Sequence, residues 1–95
     1  MLHILSNSPF KIDIYSMLNM LSAQDSLITL QDGVLISLSK NFLLDKLLQH
    51  SKNLFVLQED VLARGVLHYV SNHFKVINYS EFVILTEKHT QCMNW

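Results

Sequence analysis

The chain has 95 residues, of which 49% are hydrophobic and 16% are charged, whereas an average soluble domain has about 25% charged residues. This length predicts one domain, residues 1–95, with one hydrophobic core, and the apolar content excludes a disordered chain. The seven Lys and Arg residues are scattered and do not outnumber the eight Asp and Glu residues, which argues against direct binding to nucleic acid. We expect a surface that other subunits cover, because few charges remain to face water.

Three further features concern the compartment. Met1–Leu5 is too short for a signal-peptide core and lacks a basic start. No apolar stretch approaches the ~18 residues of a membrane span. Cys92 is the only cysteine, which excludes an internal disulfide. We therefore expect a cytoplasmic protein without a membrane segment.

The first third of the chain predicts a strand, a helix and a second strand. Leu2–Leu5 predicts the first strand, and Asp13 is a suitable N-cap for the helix that follows. The apolar side chains of this helix recur at helical spacing: Ile14, Met17, Leu18 and Leu21. After a loop at 23–26, Leu27–Gln31 predicts a buried parallel strand that leads directly into a helix.

The middle of the chain predicts two short helices, a strand and a further helix. The short helices cover Val34–Leu38 and Phe42–Leu48, with Asn41 as a candidate cap of the second. Leu54–Leu57 predicts the third strand. The next helix opens with two carboxylates that suit the positive end of its dipole, Glu59 and Asp60. Asp60 is in register for an ion pair with Arg64, and Gly65 is expected to end or bend the helix.

The last third predicts a strand over Phe74–Ile77, with Lys75 near the edge of the sheet. Asn78 and Glu81 form a capping-box pattern that begins a helix reaching about Lys88. Residues 82–85 of this helix are all apolar and therefore cover every side of it. A helix that is apolar on all sides must be buried on both, so we expect another subunit to cover one side.

The order of elements, βαβαβαβα, predicts an α/β fold. We expect a small three-layer domain with a mainly parallel sheet of four or five strands and helices on both faces.

Ligands of such sheets collect at the carboxyl ends of the strands, where this chain places Gln31 and Asp32. A magnesium site at Asp32 would need further carboxylates after the first strand, and residues 6–8 contain none. We therefore expect Asp32 to serve a turn or a cap. Glu59 and Asp60 occupy adjacent helical positions, which point apart, so capping is favoured over acid–base chemistry.

Cys92 is the obvious candidate nucleophile. It follows a predicted helix C-terminus, where the dipole opposes a thiolate, and with His89 it supplies only two of the four ligands that zinc requires. We expect an inert surface or interface thiol. Gly33 and Gly65 are too far apart for a phosphate-binding loop.

The remaining candidates are histidines and large aromatic side chains. None of the five histidines has a convincing partner within four residues, so each is expected to pack or to face solvent. Three aromatic residues are expected in the core or at an interface: Tyr69, Tyr79 and Trp95. We predict no catalytic, cofactor-binding or metal site.

Four stretches together resemble the TusB (DsrH-like) family of bacterial sulfur-relay proteins. The resemblance spans the whole chain in register, and its segments are Met1–His3 with Ser8-Pro9, Leu30–Val34, Glu59–Gly65, and Tyr79–Val83 followed by Leu85, Thr86, Lys88, His89 and Trp95. Gln58 and Asn78 depart from the expected Asn and Asp. Residues 13–21 lack the cysteine found in some relatives from sulfur-oxidising bacteria, which favours the tRNA-modifying branch.

The resemblance implies a non-catalytic subunit that joins TusC-like and TusD-like sister subunits in a dimer of heterotrimers. Such a complex takes persulfide sulfur from a TusA-like donor and passes it to a TusE-like acceptor, toward 2-thiolation of the wobble uridine of tRNA. The relay cysteine then belongs to the TusD-like sister. Two alternatives stay open: Cys92 carries the persulfide itself, or the chain is a separate nucleotide- or phosphate-binding module.

Overall fold

A computed structural model describes residues 1–39 and 42–95 of the protein. Its sheet consists of five strands: β1 (Leu2–Leu5), β2 (Ser26–Thr29), β3 (Asn53–Leu57), β4 (Lys75–Ile77) and β5 (Cys92–Asn94). The described helices are α1 (Ile14–Met20), α2 (Leu44–His50), α3 (Gln58–Ala63) and α4 (Tyr79–Lys88), with 3-10 helices at Gln31–Ser37 and Leu67–Tyr69.

The strand order is β4-β3-β2-β1-β5, and every pair of neighbouring strands is parallel. This confirms the predicted α/β fold, with β5 as the fifth strand. The first three crossovers run toward β4, and the last returns to the opposite edge beside β1. Right-handed crossovers therefore place α1, α2 and α3 on one face, the three-helix face, and α4 on the other, the α4 face.

The two faces of the sheet are covered to different extents. On the three-helix face, Leu5, Leu27 and Val56 join buried side chains of α1, α2 and α3 in the larger core cluster. The smaller cluster lies on the α4 face and consists of Leu2, Ile28, Ile77 and Leu85. Five strands span roughly 20 Å, whereas one helix is only about 10–12 Å wide. Consequently α4 leaves part of this face uncovered, including the partly exposed side chains of Ile4, Leu30 and Phe55.

The end of β2 differs from the prediction. The strand stops at Thr29 rather than Gln31, and a 3-10 helix over Gln31–Ser37 replaces the helix expected at 34–38. Gln31 has a φ of 51°, in the left-handed region that residues other than glycine rarely adopt. Its backbone N–H donates to Asp60 Oδ2 at 2.7 Å, and this long-range hydrogen bond stabilises the turn.

Other boundaries shift by one or two residues. Ser26, expected in a loop, begins β2, and β4 starts at Lys75 rather than Phe74. The third strand begins at Asn53 rather than Leu54, and α2 covers Leu44–His50 instead of 42–48. The expected cap at Asn41 lies outside the described residues.

The predicted helix caps at Asp13 and Asn78 are confirmed. Asp13 accepts hydrogen bonds from the Ser16 hydroxyl and from the Ser16 backbone N–H, the latter at 3.2 Å. The bond from the hydroxyl is the main reason why the pKa of the Asp13 carboxyl lies below its usual range. At α4, the Asn78 side chain accepts from the Glu81 N–H at 2.9 Å, and Glu81 accepts from the Asn78 N–H at 3.1 Å. Gly65, with a φ of 66°, follows the end of α3. The edge position of Lys75 on β4 is also confirmed.

Candidate functional site

The carboxyl ends of β2 and β3 bring together a cluster of charged residues. Arg64 Nη2 donates to Asp32 Oδ1 at 3.1 Å, and Arg64 Nη1 lies 3.9 Å from Asp60 Oδ1. The predicted Asp60–Arg64 pair is thus the longer of the two contacts, and sequence analysis missed Asp32 as the nearer partner. Asp60 also binds the Gln31 N–H. This cluster ties the 3-10 helix after β2 to α3.

Glu59 serves a different element from its neighbour Asp60. Its Oε2 accepts a hydrogen bond from the Tyr79 backbone N–H at 3.1 Å, which links the start of α3 to the start of α4. The two carboxylates therefore satisfy N–H groups of separate segments, and the edge they line positions loops. Within residues 1–39 and 42–95, no three His, Cys, Asp or Glu side chains lie close enough to hold a metal ion.

Gly33 lies where the 3-10 helix crosses the end of β1. A Cβ atom on Gly33 would lie 2.1 Å from the carbonyl oxygen of Leu5, so the backbones are in direct contact. Leu5 O accepts from Leu30 N–H at 3.0 Å, and Leu30 O accepts from Gly33 N–H at 2.9 Å. These contacts hold the 3-10 helix directly against the carboxyl end of β1.

A buried polar network lies at the opposite end of the sheet, and sequence analysis missed it. His3, expected only to pack, has no exposed side-chain surface and bonds through both ring nitrogens. Nε2 lies 3.0 Å from Asp25 Oδ2, and Trp95 Nε1 lies 3.1 Å from Nδ1. The partners are 22 and 92 residues away in sequence, so a search for neighbours within four residues does not find them.

The bonding pattern fixes the proton on His3. The indole N–H of Trp95 can only donate, so His3 Nδ1 accepts and the imidazole is neutral with its proton on Nε2. That proton is donated to Asp25, whose Oδ1 also pairs with the N-terminal ammonium of Met1 at 3.1 Å. No buried side-chain polar atom in the described part of the chain lacks a hydrogen-bond partner.

Asp25 is the centre of this network and is strongly favoured as a carboxylate. Burial opposes its ionisation, but hydrogen bonds from the Ser22 N–H, His3 and the N-terminal amine outweigh that effect. Together they hold the pKa of the Asp25 carboxyl well below its usual range. The network joins Met1 to Trp95, because Met1 pairs with Asp25 and Trp95 donates to His3. The backbone N–H of Trp95 also donates to Ile4 O at 2.8 Å.

Cys92 is exposed and begins β5, an edge strand. It pairs in register with Leu2, the first residue of β1. The thiol therefore lies at the amino end of the parallel sheet, opposite the edge formed by Gln31 and Asp32. The helix preceding it ends at Lys88, so His89 and Cys92 do not share a helical face.

The large aromatic residues divide between core and surface. Trp95 is half-buried and packs against the larger core cluster. Tyr69 and Tyr79 are 65% and 60% exposed, so neither belongs to the core.

No helix in the described part of the chain is both long enough and apolar enough to cross a membrane.

The fold is that of a small α/β protein with a five-stranded parallel sheet. The chain belongs to the DsrH-like family: the family model described as DsrH like protein matches residues 7–92. This confirms the resemblance found in the sequence.

Individual relatives bear the name Protein TusB. Protein TusB of Buchnera aphidicola subsp. Baizongia pistaciae (strain Bp) is 42% identical over 95 residues, with 100% of both chains covered. Protein TusB of Yersinia pestis (strain Pestoides F) is 38% identical over the same coverage.

Two solved structures share the fold. Protein Tm0979 from Thermotoga maritima, determined by NMR, has a TM-score of 0.67 at 24% identity and covers 96% of this chain and 97% of its own. MTH1491 from Methanobacterium thermoautotrophicum has a TM-score of 0.71 at 9% identity, with 99% and 96% covered. At these identities the similarity concerns the fold alone.

Proposed function

We propose that this chain is a non-catalytic subunit of a sulfur-relay complex that delivers persulfide sulfur toward 2-thiolation of the tRNA wobble uridine. Its partners are TusC-like and TusD-like sister subunits in a cytoplasmic dimer of heterotrimers, and the relay cysteine lies on the TusD-like sister. The complex receives sulfur from a TusA-like donor and transfers it to a TusE-like acceptor. Membership of the DsrH-like family and the full-length similarity to proteins named TusB support this assignment.

The observation that supports a non-catalytic role best is the chemistry of the carboxyl edge. Asp32, Glu59 and Asp60 each bind a donor from another part of this chain. A persulfide carrier needs a thiolate stabilised by nearby positive charge or a helix N-terminus. The only thiol, Cys92, lies at the other end of the sheet instead.

The surface supports a role in assembly. Several large apolar side chains are more than half exposed: Phe10, Tyr15, Phe42, Leu62, Tyr69, Tyr79 and Ile84. Permanent complexes commonly bury about 2,000 Å² or more in total, and their interfaces are more apolar than those of transient complexes. Sister subunits that cover these side chains would account for the low charge of the chain.

A second candidate function is sulfur transfer through Cys92. Its support is that the thiol is exposed and therefore accessible to a persulfide donor. Attack on the donor persulfide would form a Cys92 persulfide and release the donor thiolate. Because α4 ends at Lys88, His89 does not share a helical face with Cys92, which weakens this candidate.

Native mass spectrometry of the chain co-expressed with its candidate sisters tests the assembly. We expect one complex that contains two copies of each of three subunits. The matched control omits one sister at a time and should yield smaller, aggregation-prone species. A stable monomer that stays monomeric when both sisters are present would contradict the proposal.

A further inference from the structure

A groove on the α4 face lies between α4 and the strands next to it. Phe55 and Ile77 form its floor, and Lys75 of β4 also lines it. Its helical wall consists of four side chains of α4: Glu81, Ile84, Leu85 and Lys88. These four occupy positions i, i+3, i+4 and i+7, so they form one stripe along the helix. Ile84 and Leu85 lie in the middle; Ile84 is exposed, whereas Leu85 is buried against the sheet. Glu81 lies at the amino end of the stripe and Lys88 at the carboxyl end.

We propose that this stripe binds the same stripe of a second copy of the chain, with the two α4 helices antiparallel. In that arrangement Glu81 of each copy faces Lys88 of its partner copy, because the two residues are equally distant from the midpoint between Ile84 and Leu85. The contact is self-complementary, as a two-fold interface requires. A parallel arrangement would place like charges opposite each other at both ends.

Charge and exposure support a protein partner with this pattern. Within the described part of the chain, neither Glu81 nor Lys88 forms an ion pair. Glu81 Oε1 accepts the Asn78 N–H of the capping box, and a carboxylate can accept further bonds from a lysine. Between these charges, Ile84 is 53% exposed.

The dimensions of the groove favour side chains over a small ligand. Its volume is about 270 Å³, below the ~300–1,000 Å³ typical of small-molecule sites. It borders the uncovered part of the α4 face, where Phe55 is only partly buried. A second α4 lying across the groove would cover Ile84, the exposed apolar side chain of the stripe.

This inference goes beyond the proposed function, which concerns unlike sisters and the path of sulfur. It assigns one surface to contact between two copies of this chain. In a dimer of heterotrimers that contact would join the two halves. The contact needs no sulfur chemistry, so its failure and the failure of the sulfur-relay proposal are separate results.

Disulfide trapping tests the contact directly. In a Cys92→Ser background, which removes the native thiol, Ile84→Cys places a single cysteine next to the proposed two-fold axis. Leu62→Cys is the matched control, because Leu62 lies on α3 and is also 53% exposed. After mild oxidation of the co-purified complex, we expect a covalent dimer of this chain for Ile84→Cys, with at least tenfold less for Leu62→Cys. Equal cross-linking would overturn the proposal, as would an Ile84→Cys disulfide to a sister subunit instead of a second copy.

A charge reversal provides an independent readout. Lys88→Glu would place two acids opposite each other at both ends of the contact, and we expect self-association to weaken about tenfold in sedimentation experiments. Lys52→Glu makes the same charge change before β3, away from the groove, and should leave association unchanged. If both variants associate like the wild type, the proposed contact is wrong. Circular dichroism verifies that each variant is folded.

Discussion

Replacement of Gly33 by alanine is expected to lower the free energy of unfolding by about 3 kcal/mol or more, at the upper end of the cost of overpacking. The added Cβ would lie 2.1 Å from Leu5 O, 2.8 Å from Leu5 C and 2.9 Å from Leu5 Cγ. Two of these atoms are backbone atoms of β1, so no rotamer change relieves the contact. Moving the 3-10 helix away would break the Leu30 N–H hydrogen bond to Leu5 O.

The same substitution at Gly65 is the control. Gly65 has a φ of 66°, and nothing lies within 4 Å of the position its Cβ would take, so alanine there pays only for the left-handed backbone, about 1 kcal/mol. Urea unfolding of both variants should give the larger loss for Gly33→Ala. Equal losses would mean that the crossing beside β1 is looser than described.

Asp25→Asn should produce the second large effect, a loss of about 2–3 kcal/mol at neutral pH. The amide cannot accept from His3, the Ser22 N–H and the N-terminal ammonium as the carboxylate does. One of its own N–H groups would face a donor instead. Because His3 is fully buried, water cannot replace the lost acceptor. Asp13→Asn removes a charge at an exposed helix cap and is expected to cost less.

The pH dependence of this effect follows from the sign of the pKa shift. Since folding lowers the pKa of the Asp25 carboxyl, its contribution is fully present above the unfolded value of about 3.9 and is lost as the pH falls toward the folded value. The difference in stability between wild type and Asp25→Asn should therefore be constant between pH 7 and pH 5 and shrink below about pH 4. A difference that grew on acidification would contradict the network described for Asp25.

The fold could be predicted largely from local patterns. Asp13, the Asn78–Glu81 pair and Gly65 specify helix ends through contacts within a few residues, and all three were placed correctly. The end of β2 could not be placed, because the left-handed Gln31 depends on Asp60, 29 residues away. The apolar residue Leu30 follows the true end of the strand, so the local pattern does not mark that end.

At the candidate site, too, features set by neighbouring residues could be predicted, whereas features set by distant residues could not. That no cysteine or serine directly follows β2 is visible in the sequence. The roles of Asp32 and Asp60 at that edge depend on Arg64 and on a turn that only the folded chain creates. His3 was misjudged for a similar reason, because strands distant in sequence bring Asp25 and Trp95 to it.

The most direct test of the central claim is the rate of sulfur transfer by the reconstituted complex when this chain bears Cys92→Ser. Persulfide donor, sister subunits and acceptor are kept unchanged, and transfer is followed by mass spectrometry of the acceptor. If this subunit carries no sulfur, the rate equals that of the wild-type complex, and no wild-type sample shows added sulfur on Cys92. A variant complex that assembles normally but no longer delivers sulfur would contradict the claim.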